Sequence, residues 1–244
     1  MNVLGIILAR AGSRGLPNKC VAPLLGRPLV EYTIDHACES SLIRGLLLTT
    51  DSPAAREVAS ARGVVTIQRP AELATDTARV DAAARHAVLA WEDSPSSFHV
   101  DAVVLLYANI PVRAEGILDR VIDHLRATGA DSVRTVASVG RHHPDWLHRL
   151  DGDRMSQFRP NGIFRRQDLE PLYYHDGAGV AVRRGPLFEA ERYPDNGQAF
   201  LGSDRRAIVC RPDDAVDVDE PLDLLLAEAV LRSRGLAEPA AVSP

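Results

Sequence analysis

The stretch from Leu4 to Lys19, LGIILARAGSRGLPNK, constrains the fold more than any other part of this chain. Its apolar run, Leu4, Ile6, Ile7 and Leu8, is too short and too β-branched for a helix. It reads as a buried strand ending at Ala9. Arg10 opens a loop that holds Gly12, Ser13, Gly15, Pro17 and Asn18, with Arg10, Arg14 and Lys19 as its cations. Glycines let backbone N–H groups turn toward an anion, and no Cβ blocks close approach. A strand running into such a loop is built to hold phosphate. The spacing excludes two common phosphate loops. Lys19 lies four positions after Gly15, which breaks the Walker A pattern, and Ala11 before Gly12 breaks the dinucleotide fingerprint.

The rest of the chain repeats the alternation that this strand begins. A helix is expected from Pro28, with Leu29, Val30, Thr33, Ile34 and Ala37 on one face. Gly45 to Thr50 reads as a strand, Ser52-Pro53 starts a helix through Ala61, and Val64 to Ile67 is a short strand. Thr75-Asp76-Thr77 is expected to cap a helix through Trp91, with Asp76 as the cap. Ala102 to Leu106 is an apolar run typical of a parallel sheet centre, followed by a helix from Glu115 to Ala127 and a strand from Ser132 to Val139. This order predicts an α/β doubly wound, mostly parallel sheet, with ligands bound beyond the carboxyl ends of its strands. Residues 141–175 break the rhythm. They are rich in His, Asp, Arg and Pro, and Asp151-Gly152 predicts a hairpin between Trp146–Leu150 and Arg154–Phe158.

At 244 residues and 45% hydrophobic, the chain can bury one large core. We expect one domain over residues 1–236 and a disordered tail over residues 237–244. A net charge of −5 argues against a nucleic-acid surface. Cys20, Cys38 and Cys210 have no metal-type spacing and read as free thiols in a reducing cytoplasm. Met1 leads directly into the first strand, leaving no room for a signal peptide, and no apolar run is long enough to span a membrane.

One acidic cluster suits a divalent cation. Magnesium takes one or two carboxylates with phosphate oxygens and waters. Asp217 and Asp219 alternate with Val216 and Val218, so an extended segment would point both carboxylates to one face and anchor the valines on the other. Alternatively, these carboxylates could cap a helix starting near Glu220-Pro221. His142-His143 has no partner at ligand spacing, so zinc is not expected.

The run from Ala9 to Lys19 resembles the nucleotide-binding signature of the acylneuraminate cytidylyltransferases, with Cys20 where that family has asparagine. Other segments are similar to the family in the same order. They are Thr75-Asp76-Thr77-Ala78, the Leu105–Arg113 loop, a His-Pro-x-Trp run with Arg165-Arg166-Gln167-Asp168-Leu169, Tyr174–Val180, and Asp217-Val218-Asp219. Pro111 and Arg113 match, whereas Tyr107 replaces a sugar-contacting glutamine and Asp176 replaces asparagine. The resemblance implies a nucleotide-diphospho-sugar transferase-like fold whose residues 141–175 reach across a dimer interface to the partner's active site. It implies transfer of CMP from CTP to an acidic nine-carbon sugar, with Mg²⁺ on Asp217 and Asp219. Arg10, Lys19, Asp217 and Asp219 would then be catalytic. Ala9, Arg10, Gly12, Ser13, Gly15, Lys19 and Asp76 would contact the nucleotide. Tyr107, Arg113, Arg166, Gln167 and Asp176 would contact the sugar, with Arg165 or Arg166 as the cation for its carboxylate. Two other readings stay open: a related enzyme using 3-deoxy-octulosonate or GTP, and an inactive nucleotide-binding relative.

Overall fold

The computed structural model describes residues 1–12, 15–95 and 97–236. Ser13, Arg14 and the tail from Ala237 therefore lie outside the described residues.

The first strand, β1, runs Val3–Ala9 and is followed by a two-residue hairpin, β2 Pro23–Leu24 and β3 Arg27–Pro28. Then come α1 Leu29–Glu39, β4 Gly45–Thr50, α2 Pro53–Ala61, β5 Val65–Gln68, α3 Val80–Glu92 and β6 Ala102–Tyr107. The second half holds α4 Ile117–Thr128, β7 Ser132–Ser138, β8 His148–Asp151, β9 Arg154–Gln157, β10 Tyr173–Arg183, α5 Arg184–Glu189, β11 Arg205–Cys210 and α6 Pro221–Ser233.

Seven strands form one sheet in the order β11-β7-β10-β6-β1-β4-β5. All neighbours are parallel except β10, which runs antiparallel to both β6 and β7. The doubly wound, mostly parallel sheet expected from the alternation is therefore the fold. Its burial pattern explains why. Ile6 and Ile7 are adjacent and both fully buried, so β1 must be covered on its two faces. Ile7 packs with α1, α2 and α4 on one side, and Ile6 packs with α3 and α5 on the other. Each such side chain contributes about 1.5–3 kcal/mol relative to exposure. A third cluster, with Leu24, Leu29, Val216, Val218 and Leu231, fixes α6 against the hairpin beside the sheet.

The structure corrects the sequence reading at several points. Helix α3 starts at Val80 with no side-chain cap, so Asp76 does not cap it; the Asp76 carboxylate is held by Arg10 instead. Asp217 and Asp219 do not sit on a strand. A single bridge, Val112 to Val216, ends the pairing, and the buried valines, with hydrogen bonds between Val218 and Asn109, hold the segment extended. Strand β11 and helix α5 have no clear periodicity in sequence and were not expected. Strand β10 reads in sequence only as a glycine-bearing loop. The structure makes it eleven residues long, with a register break between His175 and Val180. The hairpin in residues 141–175 is present as β8 and β9, shorter by two residues at its start and one at its end.

Candidate nucleotide-transfer site

Strand order reverses at β1, which has β4 on one side and β6 on the other. At such a switch point the loops leaving adjacent strands part, and a crevice opens beyond their carboxyl ends. A cavity of about 300 Å³ lies there. It is lined by Ala9, Arg10, Lys19, Asp76, Tyr107 and Asn109, among others. Residues separated by a hundred positions in sequence thus meet because their strands are neighbours.

The described residues of the loop after β1 are held by contacts to several elements. Asp51, leaving β4, accepts from the Ala11 N–H at 2.8 Å. The Cys20 thiol donates to the Arg10 carbonyl at 3.4 Å. Asn18 adopts a left-handed conformation (φ 53°), tolerable for asparagine, and so turns the chain into the short 3₁₀ segment that carries Lys19. Gly15 has a specific reason to be glycine: a Cβ there would collide with the Asp219 carbonyl oxygen. That close approach sets the loop directly against the acidic segment. Gly12, by contrast, faces open space, so a side chain there would meet no neighbour.

Among the described residues of the loop, Arg10 and Lys19 each face a carboxylate. Arg10 Nη1 lies 2.5 Å from Asp76 Oδ1, and Lys19 Nζ lies 2.5 Å from Asp219 Oδ1. Asn109 donates through Nδ2 to Asp217 and also approaches Asp219 Oδ1 at 3.4 Å. Asn109 thus bridges the two aspartates. Sequence reading treats it only as a departure from the family, and no local signal marks its role. The helix-cap alternative for Asp217 and Asp219 does not hold. Glu220 and Asp223 form the capping box of α6, and Asp223 Oδ2 accepts from the Asp219 and Glu220 N–H groups. Burial, and then repulsion from Asp219, push the Asp217 carboxyl up to about 6. A pair whose ionisation is opposed in this way is relieved by a cation, and hard oxygens suit magnesium. Among the described residues no group of three or more His, Cys, Asp or Glu could hold a metal ion. The two aspartates alone leave most positions around such an ion to phosphate and water.

Two buried arginines behave differently. Arg69 lines the cavity and donates through Nη2 to the Thr49 carbonyl at 2.8 Å; burial lowers its pKa. Nothing in the sequence distinguishes it from a surface cation before a proline. Arg113 was expected to contact the sugar, but the structure places it in the interior, 3% exposed. Its guanidinium donates to the carbonyls of Ala178, Tyr107 and Ile110 and to Thr33 Oγ1. Burial lowers its pKa to about 9, which leaves it charged at neutral pH. Arg113 therefore shapes the loop after β6 and does not reach the cavity.

The expected sugar-side residues are spread out. Tyr107 lines the cavity, and burial raises its phenol pKa. Asp176 is buried behind it, where its Oδ1 accepts from Thr135 Oγ1 and from the Ala178 N–H. It reaches that place through the bulge in β10. Gly177 turns the bulge at φ +73°, and a Cβ there would collide with Ile110. Arg166 and Gln167 lie in an exposed turn of the insertion and line no part of the cavity in this chain. Arg165 is paired with Asp168 at 2.8 Å.

Comparison with known proteins agrees with this geometry. A family model described as Cytidylyltransferase matches residues 4–192. An N-acylneuraminate cytidylyltransferase of Escherichia coli is 38% identical over 95% of this chain and 52% of its own length. The enzyme of the same name from Streptococcus agalactiae is 32% identical over 73% of this chain and 42% of its own. The chain thus spans about half the length of these two relatives. A CMP-N,N'-diacetyllegionaminic acid synthase of Legionella pneumophila is 28% identical over 95% of this chain and 97% of its own. Among solved structures, a CMP-2-keto-3-deoxy-manno-octonic acid synthetase complexed with CTP superposes with a TM-score of 0.74 at 16% identity, over 97% of this chain and all of that one. The sheet order, the crevice at β1 and β6 and the match over residues 4–192 lead to one conclusion: this chain belongs to the cytidylyltransferase family.

Proposed function

We propose that this chain transfers CMP from CTP to the anomeric hydroxyl of a sialic-acid-like nonulosonic acid and releases pyrophosphate. The observation that carries the reading is the convergence of Arg10, Lys19, Asn109, Asp217 and Asp219 on one end of the crevice. The charge in such a reaction sits on phosphate oxygens, so catalysis is positioning and neutralisation. Arg10 and Lys19 exchange their carboxylate partners for the triphosphate, and the backbone of Ala9, Gly12 and Gly15 lies along it. Asp76 then steers Arg10. Asn109 orients Asp217 and keeps its carboxylate beside that of Asp219. Asp217 and Asp219 are the residues that would hold Mg²⁺. When bound, that ion neutralises charge on the phosphates.

Tyr107 forms the wall on which the sugar rests, and Asp176 holds the β10 bulge behind it through Thr135 and the Ala178 N–H. Arg166 and Gln167 point to a homodimer. The insertion exposes Leu150 (72%), Met155 (67%) and Phe164 (84%), an apolar surface suited to a second copy. In such a dimer the insertion would carry Arg166 and Gln167 to the partner's crevice. No described helix is long and apolar enough to cross a membrane, and the free thiols Cys20, Cys38 and Cys210 suit a reducing cytoplasm.

The test is pyrophosphate release from CTP, GTP, ATP and UTP, each with Mg²⁺, against N-acetylneuraminate, legionaminate, pseudaminate and 3-deoxy-octulosonate. Release with CTP and a nonulosonate is expected. Release with GTP alone, or with 3-deoxy-octulosonate alone, would replace the reading with a related transferase. Nucleotide binding with no release across the panel would replace it with an inactive nucleotide-binding relative.

A further inference from the structure

Arg134, in the middle of β7, plays no part in the reading above. Residues paired across a sheet share a face, and Arg134 is paired with Val180 of β10. Val180 belongs to the cluster beneath α3, against which Tyr107 also packs. Arg134 therefore rises on the Tyr107 side of the sheet. Its surroundings are unusual for a half-buried cation. No carboxylate lies within ion-pair distance of it among the described residues. Its Nη1 approaches His175 Nε2 at 3.0 Å, which makes that nitrogen the acceptor and the ring neutral. Its Nε is buried with no hydrogen-bond partner. Burial, and then the charge of Arg134, hold the His175 pKa below its usual value, so His175 does not compete as a cation.

Buried polar groups are nearly always paired, and an unpaired one calls for an explanation. Here a half-buried cation with an unused Nε stands beside the bulge in β10 that meets Tyr107, whereas Asp176 turns to the opposite face of the sheet with Thr135. We propose that Arg134 is a specificity-determining residue that holds the carboxylate of the acceptor sugar, supplied by the same chain that binds the nucleotide. A guanidinium turned from His175 offers a carboxylate two parallel N–H donors, a geometry lysine lacks. Arg134 thus reads the acid group. The inference rests on the proposed transfer to an acid sugar and adds the group that selects the acid.

The experiment compares the wild type with Arg134→Met and Arg134→Lys, using N-acetylneuraminate or legionaminate and the carboxyl methyl ester of the same sugar. In Arg134→Met the KM for the acid should rise roughly 10- to 100-fold, the loss of one charge-assisted contact. The KM for CTP should stay within about threefold, which a general loss of structure would not produce. The wild type should prefer the acid over the ester, and Arg134→Met should lose that preference. Arg134→Lys should fall between them, and it serves alone should the methionine variant not fold. An unchanged acid KM, or equal losses for acid and ester, overturns the inference. Should the wild type give no transfer, saturation-transfer NMR with N-acetylneuraminate decides separately. Binding that depends on Arg134 keeps the acid-reading role while the transfer reading fails. Binding that is absent, or that survives in Arg134→Met, removes it.

Discussion

The two sides of the crevice are built in opposite ways. On the side proposed for the nucleotide, two cations of one loop already meet carboxylates among the described residues, Arg10 with Asp76 and Lys19 with Asp219. On the side proposed for the acceptor, Tyr107, Arg134 and His175 come from three strands, and the buried Arg134 Nε has no hydrogen-bond partner. The insertion beyond them is exposed and carries apolar side chains. The first side is complete within one chain; the second is unfinished until substrate, and by our proposal a second copy, arrives. Arg113 joins the two, because the same guanidinium holds the Tyr107 and Ile110 carbonyls and the Ala178 carbonyl of the β10 bulge.

The largest effect should come from the nucleotide side. Asp219→Asn should cut metal-dependent turnover about a hundredfold or more while leaving the circular dichroism spectrum unchanged, since the carboxylate is exposed and does not cap α6. Turnover near that of the wild type would remove Asp219 from the metal site. Next in size, Arg113→Met should destabilise the fold by about 3 kcal/mol in urea unfolding, because several carbonyls lose their donor in the interior. If the variant instead kept its stability and lost only affinity for the sugar, Arg113 would be a contact residue after all.

His36 sharpens the same point from beneath that loop. Its Nδ1 lies 3.5 Å from Arg113 Nη1, and burial, then Arg113, lower its pKa to about 3. The folded state holds this ring neutral, so its contribution is complete above the unfolded value and is lost as the pH falls from about 6.5 toward 3. Between about pH 7 and pH 5 the wild type should lose up to about 2 kcal/mol more stability than His36→Gln. Parallel losses in the two proteins would show that His36 does not couple to the fold. The smallest effect on the isolated chain belongs to the insertion. Leu150→Glu should change thermal stability by under about 0.5 kcal/mol, because Leu150 is already in water. The same change should halve the mass seen by sedimentation; a mass unaltered by it would place the subunit interface elsewhere.

The same division decides how much was legible in sequence. The strand and loop from Val3 to Lys19 are contiguous, so residue types and spacing point directly to phosphate. Asp217 and Asp219 were legible because alternating valines reveal an extended segment. Arg69, Asn109 and Arg134 were not, since each takes its place only when a neighbouring strand end or bulge is set beside it. Arg113 misled because a matching position says nothing of burial. Asp76 misled because a Thr-Asp-Thr run before a helix has the form of a cap, and only the tertiary position of Arg10 overrides it. Strand β10 was missed because Gly177 and Gly179 read as a loop, whereas here they make the bulge that lets an antiparallel strand pass between β6 and β7.

The most direct measurement follows the α-phosphate itself. The protein would be incubated with CTP labelled at the α-phosphorus, Mg²⁺ and N-acetylneuraminate or legionaminate, and the products separated. The account predicts label in a CMP–sugar conjugate, formed together with an equal amount of unlabelled pyrophosphate. Label that stayed in CTP across the acid sugars, or left as CMP or CDP with no sugar attached, would contradict it.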